Sequence, residues 1–355
     1  MNICIVSVFN STNQGSFQQL KELGDVYSKY GDVFYLDCGI RSIWKGATDY
    51  FVRCCFKFKF KKALYDLKKR RIFKKRYGKL KRITLADIDK MDMFVLGSDE
   101  IWNVARADMR HPFLFGVGLG KPTVSYAPSV GNTDAESMRS YNYTVAGFNK
   151  LAAVSVRDGH SEQVLIDSGC TLPIEILVDP TFLKSREQYM SEHTQVSHGG
   201  YVALYCFQGV LDKSGECSSC FAEFAQEKGL KLLSGGVWSE YADNIHCEQA
   251  CTFDYYIDAD YVIANTFHGT AFAINLNKQF VTFSCGKEKI KELLVQLGLE
   301  DRDCTGKTKE EIFAILNTPI DYDSVNAKLG SMREVSLDYI RRSVELVKQM
   351  QIGEK

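Results

Sequence analysis

The most constraining feature of this sequence is the stretch from 253 to 283, which is predicted to fold as a strand, a short polar turn, a helix and a second strand. An apolar run at 261–264 leads into a turn at 265–269, apolar side chains then recur at helical spacing from 272 to 276, and strand character resumes at 280–283. In an open parallel sheet, ligands bind beyond the carboxyl ends of the strands. His268 stands where the strand ends and the helix begins, so we expect it to face such a crevice as a functional residue.

The same strand-to-turn arrangement recurs earlier in the chain. Apolar strands at 1–9, 93–96 and 122–126 run into turns at 10–16, 97–103 and 127–131, all rich in small and polar residues. Backbone amides and polar side chains at such turns can hold an anion or a sugar hydroxyl. A further strand, at 230–233, runs into Ser234 and Gly235, a turn open to close backbone approach by a ligand.

An arginine marks another strand end. The strand at 152–156 ends in Arg157 and Asp158, and a helix is predicted from about 161 to 168. An arginine at this position suits a two-pronged grip on a carboxylate or a phosphate. The alternative is a structural salt bridge from Arg157 to a neighbouring acid.

The length of 355 residues suits two domains. We place the first domain at 1–190, because Pro180 ends a strand and the residues that follow are charged and turn-rich. The second domain is predicted at 198–330, and 331–355 is predicted to form a C-terminal helix. A basic insertion occupies about 50–85 within the first domain.

Several features bear on the compartment. No apolar run is long enough to span a bilayer, and the first nine residues carry no basic leader, so we expect a cytoplasmic protein. The 12 cysteines are irregularly spaced, as a reducing compartment tolerates. We expect no metal site, because Cys217, Cys220, His246, Cys247 and Cys251 have the residue types of a zinc site without its regular spacing.

Charge is unevenly distributed although the net charge is zero. Residues 53–82 contain 15 basic residues and one acidic residue, Asp66. One interpretation is a solvated helical face on an insertion, and the other is a surface that meets anionic lipid headgroups or a polyanionic glycan. Nucleic acid is not an expected partner, since no recognition motif accompanies the charge.

Six short motifs, taken together and in order, resemble those of the polysaccharide pyruvyl transferase family. The resemblance runs from about residue 10 to residue 300. The motifs are Asn13-Gln14-Gly15, Gly97-Ser98-Asp99-Glu100-Ile101-Trp102-Asn103, Ser125-Tyr126-Ala127-Pro128-Ser129-Val130-Gly131, Ser155-Val156-Arg157-Asp158, Asp179-Pro180-Thr181, and Phe267-His268-Gly269 followed by Phe272-Ala273-Ile274.

The resemblance implies an α/β fold with two Rossmann-like domains facing a cleft, like that of the GT-B glycosyltransferases, with the C-terminal helix packing back on the first domain. It implies a pyruvyl transferase that moves the pyruvyl group of phosphoenolpyruvate onto a sugar of a cell-surface polysaccharide, or of its lipid-linked precursor, as a ketal. Phosphate leaves, and no cofactor is needed. A peripheral contact with the inner membrane face through 53–82 would bring such an enzyme to its acceptor.

The resemblance also suggests roles for individual residues. His268 is the expected catalytic residue, and Arg157 contacts the donor. Thr266 stands where characterised relatives often have an arginine. The remaining donor-binding candidates are Thr266, Phe267, Gly269, Ser234 and Gly235, and the acceptor-binding candidates are Asn13, Gly15, Ser98, Asp99, Tyr126 and Ser129.

The chemistry of ketal formation agrees with these roles. It needs a proton for the donor methylene and cationic or amide groups for phosphate and carboxylate, which His268 and Arg157 can supply. One alternative is a glycosyltransferase of the same architecture that uses a nucleotide sugar, although Glu240 and Glu248 lack the helix that such a pair requires. The other is a non-catalytic glycan-binding or scaffold protein, which stays open because position 266 is a threonine and not an arginine.

Overall fold

The first sheet contains five parallel strands in the order β3-β2-β1-β4-β5. The structure, a computed structural model, describes residues 1–193, 200–207, 219–248 and 251–353. The strands are β1 (Asn2–Val6), β2 (Asp32–Leu36), β3 (Arg82–Ile83), β4 (Met93–Gly97) and β5 (Thr123–Tyr126). The parallel pair β6 (Val154–Val156) and β7 (Ile174–Ile176) extends this layer through a bridge between Val124 and Ala153. The central strands β1 and β4 are apolar on both faces because helices and loops cover both sides of the sheet.

Helices connect these strands. They are α1 (Gln14–Tyr27), α2 (Ala47–Phe56), α3 (Phe60–Tyr77), α4 (Ala135–Arg139), α5 (Asn142–Phe148), α6 (Gly159–Ser168) and α7 (Arg186–Glu192). Side-chain caps define where two helices that border the cleft, α1 and α6, begin, because Asn13 accepts a hydrogen bond from the Ser16 amide and Asp158 accepts one from the Ser161 amide. The predicted basic insertion is the α2–α3 hairpin.

The second sheet repeats the topology of the first. Its parallel strands are β8 (Tyr201–Tyr205), β9 (Lys231–Gly235), β10 (Asp243–Ile245), β11 (Tyr261–Ala264) and β12 (Gln279–Thr282), in the order β10-β9-β8-β11-β12. The helices are α8 (Cys220–Glu227), α9 (Phe267–Asn275), α10 (Glu288–Leu297) and α11 (Lys309–Asn317). The predicted strand, turn, helix and strand at 253–283 are confirmed as β11, α9 and β12. Two Rossmann-like sheets facing each other confirm the predicted fold class.

The final helix, α12 (Tyr322–Gly353), spans both domains. Near its start the Tyr322 hydroxyl donates to the Lys278 carbonyl oxygen of the second domain, and further along the Tyr339 hydroxyl donates to the Ser125 carbonyl oxygen of the first, at 2.8 Å. The packing of this helix on the first domain confirms the sequence prediction. The helix begins earlier than the predicted residue 331, because the Asp321 carboxylate accepts hydrogen bonds from the first backbone amides.

The largest apolar cluster crosses the domain boundary. It joins Phe17 and Leu20 of α1 to Phe253 and Phe272 of the second domain, all of them buried. The two sheets are therefore held together by shared apolar packing as well as by the chain that links them. None of the described helices is both long enough and apolar enough to cross a membrane, and the cytoplasmic location stays a prediction.

Candidate functional site

Strained backbone lies at several strand ends that border the cleft. Asn10 after β1, Asp99 after β4, Ala127 after β5 and Cys285 after β12 have φ values of 57°, 66°, 48° and 47°. Such conformations cost free energy in residues other than glycine, and they are concentrated at functional sites. The facing strand ends of the two sheets are therefore the candidate functional site.

His268 lies at the start of α9 and makes its polar contacts with the first domain. Thr266 caps the helix by accepting a hydrogen bond from the Gly269 amide at 3.0 Å, and this capping bond orients the first turn. The imidazole Nε2 lies 3.2 Å from Oε1 of Gln19 and 3.6 Å from Oδ2 of Asp179. The histidine side chain of the second domain is thus positioned by an amide and a carboxylate of the first.

Gly15 allows this close approach. A Cβ atom at Gly15 would lie 2.2 Å from Cγ and Nδ1 of His268, so any larger residue collides with the ring. The next residue, Ser16, donates its hydroxyl to Oδ2 of Asp99 at 2.6 Å. Burial alone would raise the pKa of Asp99, but the charges of His268 and Arg157 and the hydrogen bond from Ser16 lower it below its usual value. Asp99 is consequently an ionised carboxylate at neutral pH.

Arg157 makes the predicted structural salt bridge and keeps hydrogen-bonding capacity. Its Nη1 lies 3.1 Å from Oδ2 of the buried Asp179, and its guanidinium stacks 4.5 Å from the centroid of the Phe267 ring. Its Nε and Nη2 have no hydrogen-bond partner among the described residues. Burial would raise the pKa of Asp179, but His268 and Arg157 together hold it far below its usual value. Asp179 therefore joins His268 to Arg157 in one buried charged cluster.

Two cavities lie beside this cluster at the domain interface. The first, of about 200 Å³, is bordered at one end by charged residues of the cluster and elsewhere by apolar side chains of α10 and α12. The second, of about 570 Å³, is lined mostly by charged and polar residues. Asp158, Lys289 and Glu292 line both cavities, whereas His268 lines neither. Its neighbours Phe267 and Asp179 line the first, so the imidazole lies one layer behind the cavity wall.

The larger cavity contains charges of both signs, since the carboxylates of Glu100, Asp158, Glu288 and Glu292 line it together with two lysines. Lys287 and Lys289 line it, and the N-termini of α6 and α10 border it from opposite domains. Positive helix ends and lysines together attract phosphate and carboxylate groups. The Lys289 ammonium binds the Glu100 carboxylate across the cleft, and although burial would raise the pKa of Glu100, this partner lowers it.

Two further carboxylates in the cavities have an oxygen that accepts no hydrogen bond, although Oδ2 of Asp158 lies 3.9 Å from Nε of Arg157. Oδ2 of Asp158 and Oε2 of Glu292 have no hydrogen-bond partner among the described residues. Burial and the nearby charge of Asp158 raise the pKa of Glu292. A carboxyl group with a raised pKa beside a cavity is the kind of group that can accept or return a proton.

The other predicted site residues divide into two groups. Ser129 lines the larger cavity, and Asn13 caps α1 at the exposed edge of the cleft. The hydroxyls of Ser98 and Tyr126 are buried and donate to the carbonyls of Ala127 and Val178. Neither residue lines a cleft cavity.

Ser234 and Gly235 are also covered by the protein. The Ser234 hydroxyl donates to the Val237 carbonyl at 2.6 Å, and a Cβ on Gly235 would lie 2.6 Å from the Tyr255 ring. The structure thus brings Gly15, Asp99, Arg157, Phe267 and His268 together, but not Ser98, Tyr126, Ser234 or Gly235. As for the cysteines considered for zinc, Cys217 lies outside the described residues.

Sequence reasoning missed Gln19, Lys287, Lys289 and Glu292, and it quoted Asp179 without giving it a site role. The rule that ligands bind beyond strand ends would have pointed to the lysines, since they follow β12 after Gly286, which has a φ of 78°. Gln19 gives no such signal, because it lies within α1 and reaches His268 only after the domains pack.

Comparisons with known proteins agree with this architecture. The model of a family described as polysaccharide pyruvyl transferase matches residues 19–216, a range that includes Asp99, Arg157 and Asp179 and ends before His268. No curated protein sequence is significantly similar to the chain.

Two similar solved structures are sugar-nucleotide epimerases. The UDP-GlcNAc 2-epimerase from Methanocaldococcus jannaschii has 9% sequence identity and a TM-score of 0.51, and the match covers 90% of this chain and 93% of that one. A putative UDP-N-acetylglucosamine 2-epimerase from Listeria monocytogenes has 10% identity and a TM-score of 0.51, with 93% and 91% covered. At these identities the similarity concerns the fold alone.

Proposed function

Because this chain belongs to the polysaccharide pyruvyl transferase family, we propose that it transfers the pyruvyl group of phosphoenolpyruvate to two hydroxyls of one sugar as a ketal, with release of phosphate. The acceptor is a sugar of a cell-surface polysaccharide or of its lipid-linked precursor. The observation that carries the proposal is the buried cluster of His268, Asp179 and Arg157: Arg157 and Asp179 line the smaller cavity, which shares Asp158, Lys289 and Glu292 with the larger one.

Positive charge is needed to hold the donor. Phosphoenolpyruvate carries a phosphate and a carboxylate. Arg157 in the smaller cavity, whose Nε and Nη2 make no hydrogen bond among the described residues, and Lys289, which lines both cavities, can bind them, and Lys287 of the larger cavity can contribute if its ammonium exchanges the Asn265 carbonyl for the donor. Thr266, which replaces the arginine common in characterised relatives, uses its hydroxyl as a helix cap. In this proposal the two lysines supply the positive charge that position 266 lacks.

The reaction conserves atoms as follows. His268 protonates the donor methylene, which becomes the methyl group, and one acceptor hydroxyl attacks the adjacent carbon. Phosphate leaves with its bridging oxygen, and the second hydroxyl then closes the ketal. The carboxylates of Asp158 and Glu292 lie beside the cavity and first take the two hydroxyl protons from the acceptor. One of these protons then passes to His268, and the other leaves with phosphate.

Access to His268 is part of the proposal. Gly15 covers the ring, and the side chain of His268 is only 11% exposed. Contact with a donor in the neighbouring cavity therefore requires the start of α1 and the first turn of α9 to move apart, which exposes the imidazole.

The test is phosphate release from phosphoenolpyruvate with a panel of acceptor glycans, combined with mass spectrometry of the glycan product. We expect His268→Ala to abolish transfer while the protein stays folded. Phosphate release without a modified glycan, or full turnover by His268→Ala, would contradict the proposed chemistry. Turnover of any kind would exclude a non-catalytic glycan-binding protein.

The glutamate pair considered for the nucleotide-sugar alternative does not lie at the cleft. Glu240 binds Lys59, which precedes α3, and Glu248 binds Lys68 of α3; neither glutamate lines a cleft cavity. Binding of a nucleoside diphosphate in the absence of phosphoenolpyruvate binding would favour that alternative.

A further inference from the structure

The α2–α3 hairpin has a base that is fixed to both domains. Tyr65 on α3 receives a hydrogen bond from the Gly236 amide at 2.8 Å and donates one to the Ile245 carbonyl at 3.1 Å, both in the second domain. Arg76 donates to the Cys247 carbonyl at 2.6 Å, and Phe17 of α1 packs against Phe73. The hairpin is therefore mounted rigidly.

The aromatic residues of this basic segment divide between protein packing and solvent. Tyr65, Phe73 and Tyr77 are buried, as expected if the segment is structural. At the tip of the hairpin, Phe56, Phe58 and Phe60 are 81%, 86% and 51% exposed. Only the tip can therefore contact a partner through its aromatic rings.

The tip exposes a group of apolar side chains that a partner would cover. The rings of Phe58 and Phe60 touch each other at a centroid distance of 6.4 Å, and Phe58 has a φ of 55°, a strained value for a bulky residue. Val52 and Leu64 extend the apolar surface along the two helices. A contiguous exposed apolar patch of this kind marks an interaction site.

The surrounding charge indicates the chemistry of the partner. Arg53, Lys57 and Lys61 are exposed beside the phenylalanines, and the described residues provide no ion pair for them. Basic side chains interleaved with aromatic rings match a bilayer interface, where rings insert among headgroups and ammonium groups bind phosphates. The rings of Phe56 and Phe58 keep more than four-fifths of their surface exposed, so they project from the protein and can insert into a bilayer. A protein partner would instead need a broad complementary surface.

We propose that the tip of this hairpin, residues 52–64, docks on an anionic lipid bilayer, with Phe56, Phe58 and Phe60 inserted at headgroup depth. This surface is independent of the proposed chemistry. The rigid mounting of α3 on the second domain fixes the orientation of the cleft above the bilayer. A sugar carried on a lipid in the same membrane can then reach the cleft.

The test is co-sedimentation of the full chain with vesicles of phosphatidylcholine alone or mixed with phosphatidylglycerol, without donor or acceptor. We expect binding to the anionic vesicles at low salt and its loss at high salt, because added salt screens the lysines. Replacing the three tip phenylalanines by serine is expected to weaken binding by about 100-fold or more, since each ring loses its burial in the interface.

Matched variants make the outcome specific. The control Ile166→Ser, Val295→Ser and Ile352→Ser removes three exposed apolar side chains elsewhere and should leave vesicle binding unchanged. Lys57→Gln with Lys61→Gln should reduce the salt dependence. Absence of binding to anionic vesicles at low salt, equal binding by the serine variant, or a wild-type dimer in light scattering that the serine variant abolishes would each overturn the proposal. These readouts need no turnover, so they are separate from the test of pyruvyl transfer.

Discussion

Replacing Gly15 by alanine is expected to inactivate the protein while both domains stay folded. Gly15 lies in the first turn of α1, and its φ is not positive, so alanine can adopt the same backbone conformation. Alanine is better suited to a helix than glycine by about 1 kcal/mol. A new Cβ would nevertheless lie 2.2 Å from Cγ and Nδ1 of His268 and 2.6 Å from its Cβ.

The required displacement follows from these distances. Ordinary contact with a Cβ begins at 3.4 Å, so the ring has to retreat by about 1.2 Å from its position at 2.2 Å. Rotation of the side chain alone is insufficient, because the Cβ of His268 is itself too close. Either α1 or α9 must shift, at an overpacking cost of about 1–3 kcal/mol that the helix propensity of alanine partly offsets. A catalytic group displaced by roughly 1 Å loses about 100-fold in rate.

Three measurements check this reasoning: the rate of phosphate release, the melting temperature and the imidazole resonance of His268 in NMR spectra, assigned with His268→Gln. The matched control is Gly330→Ala in α12, where a Cβ meets no described atom within 4 Å. It should gain helix stability at full activity. A Gly15→Ala protein with wild-type turnover or an unmoved His268 resonance would refute the argument.

Other substitutions address the buried cluster and α12. Asp179→Asn should cost about 3–5 kcal/mol at pH 7, because it leaves Arg157 without its buried partner. The pKa of Asp179 is far lower in the folded protein than in the unfolded chain, where it is about 4. Its stabilising effect is therefore complete above about pH 4, declines below that value and is lost only as the pH falls through the folded pKa, so denaturant titrations of both proteins at pH 7 and pH 3 should show the difference beginning to shrink. Arg157→Lys should weaken phosphoenolpyruvate binding measured by calorimetry, since an ammonium cannot stack on the ring and bind two groups at once, and unchanged affinity would leave Arg157 a structural residue. Tyr339→Phe removes the buried hydrogen bond to the Ser125 carbonyl and should lower the free energy of unfolding by about 1 kcal/mol with the fold intact.

The sequence was sufficient to predict the strand ends that meet in the cleft. Alternating strands and helices predict parallel sheets, and the carboxyl ends of such strands lie along one edge, which brings Asp99, Arg157 and His268 together. The alternation of strands and helices does not tell which of the adjacent residues at a strand end faces the cleft. Ser98 and Tyr126 occupy comparable strand ends but turn inward, because loops and α12 supply carbonyl and ring partners that are distant in sequence.

The partners of the basic segment are another feature that sequence could not supply. Its charge is evident, but Lys59 and Lys68 bind Glu240 and Glu248, roughly 180 residues later. These contacts exist only because α3 crosses to the second domain. Charge patterning predicts that a segment needs anionic partners, whereas the tertiary fold decides which lysines already have one.

The arrangement around His268 explains why the two domains share a core. The imidazole belongs to the second domain, yet Gly15, Gln19 and Asp179, which fix its position, all belong to the first. The ring is therefore aligned only when the domains are closed, and the free energy that closes them also orients the proposed acid. The helix α12 contributes to that closure, because it is hydrogen-bonded to the second domain near its start and to the first domain further along. A residue far from the cleft can thus control the geometry of His268 through the docking of the domains.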